Sequence, residues 1–427
     1  MKVGIYTLGC KVNSYESEYV MSLFKERGYN VTDFNDICDI YIINTCTVTN
    51  QSDSKSRKII NQAIRKNPNS CVVAMGCFIE ANKDTQIDGV DILIGNKDKS
   101  KVVDLVEEYF NNKNKIINLY SDLGNEFEDM EIKTFEGRTR AFVKIQDGCE
   151  NFCSYCIIPY VRGKCRSKKR DRVIKEITSL VNNGYKEIVL TGIHTGNYGR
   201  DLDTDFSSIL KDILNIPGLY RLRISSIEVT ELTDEVLDIL KNNLVVADHL
   251  HIPLQAGSDK VLKLMNRKYN TKYFFDKINT IRKIRPDISI STDVIVGFPG
   301  ETDELFNETY DFCKKIGFSK MHVFPYSIRK GTAASKFPNQ VDGLVKKERT
   351  RKLIELSTVL EKEYMNKFID TEIDVLIEQS KDGYSYGHTS NYLAVKLKGN
   401  YNSEDIVTVG ITELDYPHCI AKEFVKE

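Results

Sequence analysis

The chain has 427 residues, enough for two or three domains with separate cores. Its 60 Lys and Arg residues nearly balance 61 Asp and Glu residues, so a net charge of −1 excludes a globally basic nucleic-acid-binding protein. Eleven cysteines behind a polar start, Met1 and Lys2, indicate a reducing compartment in which thiols bind metals. Because no apolar run reaches the roughly 18 residues of a membrane span, we expect a soluble cytoplasmic protein without membrane contact.

The first 110 residues contain strands and helices that alternate. Short apolar, β-branched runs predict the strands, and amphipathic segments between them predict the helices. The predicted strands are residues 2–8, 31–34, 39–44, 71–75 and 90–94, and the predicted helices are residues 16–27 and 52–66. This alternation is typical of a parallel sheet with helices on both faces, so we predict an α/β domain over residues 1–110.

Three cysteines of this domain follow the ends of predicted strands. Cys10, Cys46 and Cys77 each come just past the carboxyl end of a different strand. Because these ends meet at one edge of a parallel sheet, we expect the three thiols to gather there. Three thiolates at one edge predict a metal-cluster site that is one ligand short. The alternative, cysteine as a small buried apolar residue, is assigned to Cys38 and Cys71.

The next segments are predicted to be a linker and a partial barrel. Residues 111–138 are polar with little periodicity, as expected for a linker. Residues 139–368 contain predicted strands at 141–145, 187–190, 222–225, 249–252, 289–296 and 320–324, with amphipathic helical patterns between them. Six such units predict an open (βα)6 barrel with its chemistry above the carboxyl ends of the strands. A charged amphipathic helix at residues 345–368 is expected to close this domain.

The loop after the first barrel strand carries a second group of cysteines. Cys149, Cys153 and Cys156 are spaced by three residues and then by two. A cubane iron–sulfur cluster takes four thiolate ligands, so three would leave one iron open, as in catalytic metal sites. Tyr155 places an aromatic ring beside that iron. The alternative is a structural zinc site with Cys165 as its fourth ligand.

A basic run follows the cysteine loop. It includes Arg162, Arg166 and Lys169, which we predict to attract the phosphates of an RNA substrate. The alternative is an ordinary solvated surface.

The last segment, residues 369–427, has short alternating runs between Gly and Asn turns. They predict strands at residues 372–378, 384–388, 393–398, 406–414 and 420–424. Short strands at this spacing are typical of a small β-barrel of the oligonucleotide-binding type. The aromatic residues Tyr384, Tyr386, His388 and Tyr392 are candidates for stacking on unpaired bases, or for packing in the small core.

Several motifs of this sequence resemble those of known enzyme families. The Cys-x3-Cys-x2-Cys pattern with an aromatic residue before its third cysteine resembles the signature of radical S-adenosylmethionine (SAM) enzymes. Residues 6–13 (YTLGCKVN), 44–46 (NTC) and 76–77 (GC) resemble the first domain of the methylthiotransferases, a radical SAM family. The likeness covers nearly the whole chain. Residues 8–16 (LGCKVNSYE) most resemble the branch that acts on N6-threonylcarbamoyladenosine beside the tRNA anticodon.

This resemblance implies SAM and two 4Fe-4S clusters as cofactors, tRNA as substrate, and an electron donor such as flavodoxin or ferredoxin. The cluster of the barrel loop is expected to bind SAM at its open iron, which makes its three cysteines the catalytic set. The N-terminal cluster is expected to supply sulfur. The implied SAM-binding candidates are Tyr155, Gly192, Ser226, Glu228, Gln255, Asp293 and Gly297. The alternative is a structural role for two of them: Gly297 would only shape a turn, and Asp293 would only form hydrogen bonds with the barrel backbone.

For the C-terminal segment the resemblance implies a TRAM module that grips RNA, although acidic residues outnumber basic ones from residue 371 onward. Other substrates stay open: a different tRNA adenosine, such as isopentenyladenosine, or an aspartate of a ribosomal protein. A zinc-stapled RNA-binding protein without catalysis is the alternative outside the enzymes. Nothing in the sequence specifies the oligomeric state.

Overall fold

The computed structural model describes residues 1–83, 87–135 and 137–423. Two parts of the predicted elements lie outside these ranges. They are Glu136 in the predicted linker and the end of the C-terminal segment, including Phe424 of its last predicted strand.

The N-terminal domain is a six-stranded parallel sheet with helices on both faces. Its elements are β1 (Lys2–Thr7), α1 (Lys11–Glu26), β2 (Asn30–Thr32), β3 (Ile40–Thr45), α2 (Asn50–Lys66), β4 (Cys71–Gly76), α3 (Cys77–Ala81), β5 (Ile92–Ile94), α4 (Val102–Asn112) and β6 (Ile116–Asn118). The strand order is β2-β1-β3-β4-β5-β6, and every neighbouring pair is parallel. All residues of β3 and β4 are buried, as expected for central strands covered on both faces. The predicted α/β domain is confirmed.

The described residues of the segment predicted as a linker take part in both domains. Its first part is β6, which extends the sheet beyond residue 110 and was missed because three residues carry too little periodicity. Farther on, Met130, Ile132 and Phe135 are buried in the core of the central domain, together with Tyr15 of α1. The Tyr15 hydroxyl donates a hydrogen bond to the Met130 carbonyl oxygen at 2.6 Å. This segment therefore connects the two domains by packing between them.

The central domain has the predicted strand–helix repeat. Its elements are β7 (Arg140–Asp147), α5 (Ile158–Arg162), β8 (Arg166–Ser167), α6 (Arg170–Asn182), β9 (Glu187–Gly192), α7 (Phe206–Leu214), β10 (Arg221–Ile224), α8 (Asp234–Asn242), β11 (His249–His251), α9 (Asp259–Leu264), α10 (Thr271–Ile284), β12 (Ser289–Val296), α11 (Asp303–Ile316) and β13 (Lys320–Pro325). Strands β7, β9 and β10 form one parallel sheet, and β11, β12 and β13 form another. A parallel bridge from Leu222 to Val246 joins them into an open barrel.

The chain ends in a long helix and a closed β-barrel. Helix α12 (Gly343–Asn366) packs on β13, where the Ser357 hydroxyl accepts a hydrogen bond from the Met321 amide at 2.9 Å. The barrel strands are β14 (Glu372–Lys381), β15 (Tyr384–Thr389), β16 (Ala394–Lys398), β17 (Ile406–Asp415) and β18 (His418–Glu423). They close in the order β14-β15-β16-β18-β17. In the described part of the chain, no helix combines the length and apolar character that crossing a membrane requires.

A buried network of charges joins the N-terminal sheet to the barrel. Glu16 of α1 accepts hydrogen bonds from Lys144 at 2.9 Å and from Arg162 at 2.8 Å, and it also pairs with Lys99. Asp147, at the end of β7, pairs with Lys144 at 2.6 Å and with Arg162 at 3.1 Å. These five side chains are at most 6% exposed. The two domains therefore meet through ionised groups that water does not reach.

The two carboxylates of this network stay ionised. Burial alone would raise the pKa of Glu16, but Arg162, Lys144 and Lys99 hold that pKa well below its usual range. Burial would likewise raise the pKa of Asp147, and Arg162 and Lys144 lower it strongly. Removing one of these two carboxylates would leave several buried cations with only the other carboxylate to balance their charge.

We predict that Glu16→Gln lowers the free energy of unfolding of the metal-free protein by about 3 to 5 kcal/mol, because it leaves three buried cations with one carboxylate. Urea unfolding at neutral pH measures this change. The matched control is Asp104→Asn, which breaks an exposed pair with Arg27 at 2.7 Å and is expected to cost at most about 1 kcal/mol. Equal effects of the two variants would contradict the role given to the buried network.

Candidate active site

The cysteine loop of the barrel is held rigidly between β7 and α5. The Cys149 amide donates to the Gly163 carbonyl oxygen at 3.0 Å, and the Cys156 amide donates to that of Cys153 at 2.9 Å. Between them, Ser154 donates through its amide to Met265 at 3.1 Å and through its hydroxyl to Leu264 at 2.8 Å. These bonds anchor the loop to the end of α9 and fix the three thiols above the barrel.

Each thiol of this loop has a distinct environment. Cys149 Sγ lies 3.7 Å from His194 Nδ1, and Cys153 Sγ accepts a hydrogen bond from Arg267 at 3.2 Å. Burial, together with the neighbouring Cys153 and Cys149 sulfurs, raises the pKa of Cys156 to about 12. The three sulfurs are therefore close enough to act on one another, as ligands of one cluster must be.

The proposed fourth zinc ligand is engaged elsewhere. Cys165 Sγ accepts from the Gln146 side-chain amide at 3.3 Å and lies 3.5 Å from the Asn197 carbonyl oxygen. Among the described residues, no three His, Cys, Asp or Glu side chains are placed to hold a single metal ion. A cubane differs from zinc because its thiolates bind separate irons and so stand farther apart. This geometry favours a cluster over a zinc site.

The structure brings the three N-terminal cysteines to one edge of the sheet. Cys10 caps α1, Cys46 follows β3, and Cys77 begins α3. A side chain at Gly9, which has a φ of +102°, would place its Cβ 3.1 Å from Cys46 Sγ. Burial raises the pKa of Cys46, and the neighbouring Cys77 and Cys10 sulfurs raise it further.

Cys38 and Cys71 lie away from this edge, as expected for structural residues. Cys38 Sγ lies 3.6 Å from the Asp36 carbonyl oxygen, in the loop that precedes β3. Cys71 is fully buried as the first residue of β4, at the opposite end of that strand from Cys77.

Arg162 connects the N-terminal thiols to the buried charge network. Its Nε donates to Cys77 Sγ at 3.4 Å, and its Nη2 donates to Asn13 Oδ1 at 2.7 Å. Asn13 Oδ1 in turn lies 3.8 Å from Cys10 Sγ. Arg162 thus contacts Cys77 directly and Cys10 through Asn13.

The charge of this region fits an anionic group at the N-terminal thiols. Arg166 lies at the border of the buried network, 4.0 Å from Asp147. Among the described residues, the ion-pair partners of Lys99, Lys144, Arg162 and Arg166 are the carboxylates of Glu16 and Asp147. This leaves an excess of two positive charges next to Cys77. Three thiolates on an iron–sulfur cubane carry net negative charge, so a cluster there would neutralise cations that are otherwise costly to bury.

A cavity of about 230 Å³ lies beside the barrel cysteine loop. Its walls include Tyr155, Cys156, Gln255 and Asp293, four of the residues predicted for the catalytic cluster and SAM. Val48 and Thr49, which follow Cys46, close its other side. The adjoining loop is held against the barrel by Arg329, which donates to Thr47 at 2.6 Å and to Asp53 at 2.8 Å.

A second cavity, of about 640 Å³, adjoins the first. Asp293 and Phe324 line both. Cys10 and Lys11 lie on its wall together with Gly192 and Ser226, and it extends to His388 and Tyr392 of the C-terminal barrel. The two cavities therefore adjoin, and residues of all three domains line them; together they are called the chamber.

Two predicted SAM residues lie outside this chamber. Glu228 pairs with Arg267, which also donates to Cys153, and both line a separate cavity of about 280 Å³ on the other side of that cysteine. Gly297 has a φ of +68°, and a Cβ there would lie 2.3 Å from Lys346 Cγ. Its amide donates to Glu301 at 2.7 Å. The structure thus corrects the expectation for Gly297, which shapes a turn beneath α12.

The structure also corrects two of the three predicted RNA contacts. Arg162 is 0% and Arg166 4% exposed, and both are held by the buried charge network. Arg166 also donates to the Arg162 carbonyl oxygen at 2.7 Å. Because both side chains are buried, neither is accessible to RNA. Lys169 is exposed, as is Lys164.

Some of the aromatic residues that were candidates for stacking on bases take part in packing instead. The Tyr392 ring stacks on His388 at 4.8 Å between centroids, and Arg223 lies over it at 4.6 Å. Arg223 also donates to the Thr389 and Ser390 carbonyl oxygens at 3.3 and 3.1 Å. Tyr392 therefore fastens the C-terminal barrel to the central domain beside the chamber.

Sequence reasoning missed two charged residues of the site. Lys11 was read only as part of a motif, although its position next to Cys10 places it on the chamber wall. Arg267 had no local signal, because its contact with Cys153 joins residues 114 positions apart.

Two family models match this chain. The radical SAM superfamily model matches residues 143–313, and a model described as Uncharacterized protein family UPF0004 matches residues 2–95. Among solved structures, the radical SAM methyltransferase TsrM from Kitasatospora setae aligns with a TM-score of 0.56 at 12% identity, covering 75% of this chain and 72% of TsrM. This similarity supports the fold of the central region.

Several relatives are similar over nearly their whole length. Threonylcarbamoyladenosine tRNA methylthiotransferase MtaB from Bacillus subtilis is 44% identical, covering 97% of this chain and 95% of the relative. The protein of that name from Aquifex aeolicus is 38% identical over 93% of this chain and 97% of its own. A tRNA-2-methylthio-N(6)-dimethylallyladenosine synthase from Thermoanaerobacter is 36% identical, covering 88% of this chain and 81% of the relative. The chain therefore belongs to the radical SAM methylthiotransferases, a family of transferases that use SAM and a 4Fe-4S cluster.

Proposed function

We propose that this protein adds a methylthio group to C2 of N6-threonylcarbamoyladenosine next to the anticodon of tRNA, in the cytoplasm. The observation that carries the proposal is the chamber, whose two adjoining cavities are each bordered by one cysteine, Cys156 of the barrel loop and Cys10 of the N-terminal group. Each group of three cysteines is one ligand short of a complete cubane site. The relatives named for this substrate, at 38 to 44% identity, support the choice of base.

The barrel cysteines are the proposed ligands of the catalytic cluster. A cluster and SAM held there would supply the radical chemistry needed to replace a hydrogen of the adenine ring. Tyr155, Gln255 and Asp293 line the smaller cavity and are proposed to hold SAM, while Gly192 and Ser226 border the substrate side. Glu228 is proposed to act indirectly: it pairs with Arg267 and orients that side chain toward Cys153.

Cys10, Cys46 and Cys77 are the proposed ligands of a second 4Fe-4S cluster, whose role is to supply sulfur. Arg162 supports it by donating to Cys77 and by balancing the charge of the thiolates. An electron donor such as flavodoxin or ferredoxin is proposed to reduce the catalytic cluster. The enclosing walls limit the access of water to the reacting atoms.

The substrate assignment is tested by product analysis. Anaerobic protein with both clusters, SAM and a reductant is expected to yield 5′-deoxyadenosine and a methylthio product with tRNA that carries N6-threonylcarbamoyladenosine. Mass spectrometry of the digested tRNA identifies the product. Methylthiolation only of dimethylallyladenosine, or of a ribosomal-protein aspartate, would contradict the assignment.

The two-cluster assignment predicts separate losses of iron. Reconstituted protein should hold about eight irons, and Cys46→Ala and Cys153→Ala should each remove about four, because each disrupts one cubane. Iron and sulfide analysis measures this. Cys71→Ala is the matched control, since Cys71 is a buried thiol away from both groups, and it should keep the full content. Unchanged iron in Cys46→Ala would exclude the second cluster.

Exposed lysines that follow the barrel cysteine loop in the sequence are the remaining candidates for RNA contact. We predict that replacing Lys164 and Lys169 by alanine weakens tRNA binding and reduces the slope of log K against log salt by about 2, because two phosphate contacts are lost. Filter binding over a range of salt concentrations measures both effects. The matched control replaces Lys241 and Lys314, exposed lysines on the outer helices α8 and α11. An equal slope for both double variants would contradict the prediction.

A further inference from the structure

The larger cavity contains one cation without a counter-ion. Among the charged residues on its wall, Lys320 pairs with Glu361 at 3.1 Å, and Asp293 pairs with His251 at 3.3 Å. Arg223 is held by Glu187 at 2.6 Å. Within the described residues, no hydrogen bond or ion pair engages the Lys11 ammonium. An unpaired cation in a protein cavity is a favourable site for an anion.

The surroundings of Lys11 strengthen this preference. The neighbouring cation on the same wall, Arg223, is already paired with Glu187, so that carboxylate is engaged. Serine hydroxyls also line the cavity. Ser289 and Ser319 bond to each other at 2.7 Å, and Ser291 lies 3.0 Å from His251 Nδ1. Within the described residues the hydroxyls of Ser225 and Ser226 have no such partner, so they suit a polar ligand and would be left unpaired by a hydrocarbon.

The position of Lys11 relates it to the substrate. It directly follows Cys10, so its side chain borders the place where sulfur transfer is proposed. The relatives differ in the group on N6 of adenosine: threonylcarbamoyl in one set and dimethylallyl in the other. The first group carries a carboxylate and a hydroxyl, whereas the second is a hydrocarbon. Only the first supplies the anion that Lys11 lacks.

We propose that Lys11 binds the carboxylate of the threonylcarbamoyl group in this cavity and thereby selects that adenosine over uncharged ones. The proposal rests on the proposed function and adds the residue that determines its specificity. Lys11 is a binding residue here, and the serine hydroxyls around it accept or donate to the remaining polar atoms of the threonyl group.

Binding to three RNA probes tests the proposal with protein that contains its clusters. The probes are anticodon stem-loops with N6-threonylcarbamoyladenosine, with its methyl ester, and with dimethylallyladenosine. The natural protein should bind the acid at least about tenfold more tightly than the ester, because the ester lacks the charge. Fluorescence anisotropy measures the dissociation constants.

Variants at Lys11 then locate the source of this preference. Lys11→Met should bind acid and ester within about twofold of each other, and Lys11→Arg should keep most of the preference because it keeps the charge. Lys320→Met is the matched control, since its ammonium is already paired with Glu361, and its preference should match that of the natural protein. Iron content and absorbance confirm that each variant holds its clusters.

Three results would overturn the proposal. The first is equal binding of the acid and the ester by the natural protein, and the second is an unchanged preference for the acid in Lys11→Met. The third is an equal loss of affinity for all three probes in Lys11→Met, which would assign Lys11 to a phosphate. A fall in SAM affinity with an intact preference would instead place Lys11 at the SAM carboxylate. Failure of the proposed function is distinguishable, because it appears as no methylthio product from the natural protein with the acid-bearing tRNA.

Discussion

The ion pairs between Glu16, Arg162 and Asp147 are the interaction on which the arrangement of the site depends. Glu16 belongs to the N-terminal sheet domain, and the other two residues flank the cysteine loop of the barrel. Buried ion pairs are rarely retained for stability alone, since desolvation offsets most of their attraction. Here they fix the position of one cysteine group relative to the other. Their excess of positive charge beside Cys77 also matches an anionic cluster.

The chamber follows from this docking. With the two domains fixed, the loop after β3 closes the smaller cavity over Tyr155 and Cys156, and α1 presents Cys10 and Lys11 to the larger one. The C-terminal barrel completes the wall through Tyr392 and its contacts with Arg223. One cysteine of each group, Cys156 and Cys10, therefore borders these adjoining cavities.

Much of this arrangement was predictable, because strand topology carries local residues to known places. Cys10, Cys46 and Cys77 follow parallel strands, so their gathering at one edge required no knowledge of distant contacts. Burial of Arg162 and Arg166 could not be predicted, since it depends on partners such as Glu16, 146 residues away from Arg162. A basic run is ordinarily solvated, and only tertiary pairing reverses that. For Gly297, the deciding contact with Lys346 comes from a helix that local patterns do not relate to the turn.

The central claim is that both cysteine groups hold clusters that face one chamber. The most direct measurement is electron paramagnetic resonance of the protein with both clusters reduced, compared with Cys46→Ala and Cys153→Ala, in which one cluster remains. Two nearby paramagnets interact, so the account predicts a broadened spectrum with faster relaxation than either variant shows. A spectrum equal to the sum of the two single-cluster spectra would contradict a shared chamber.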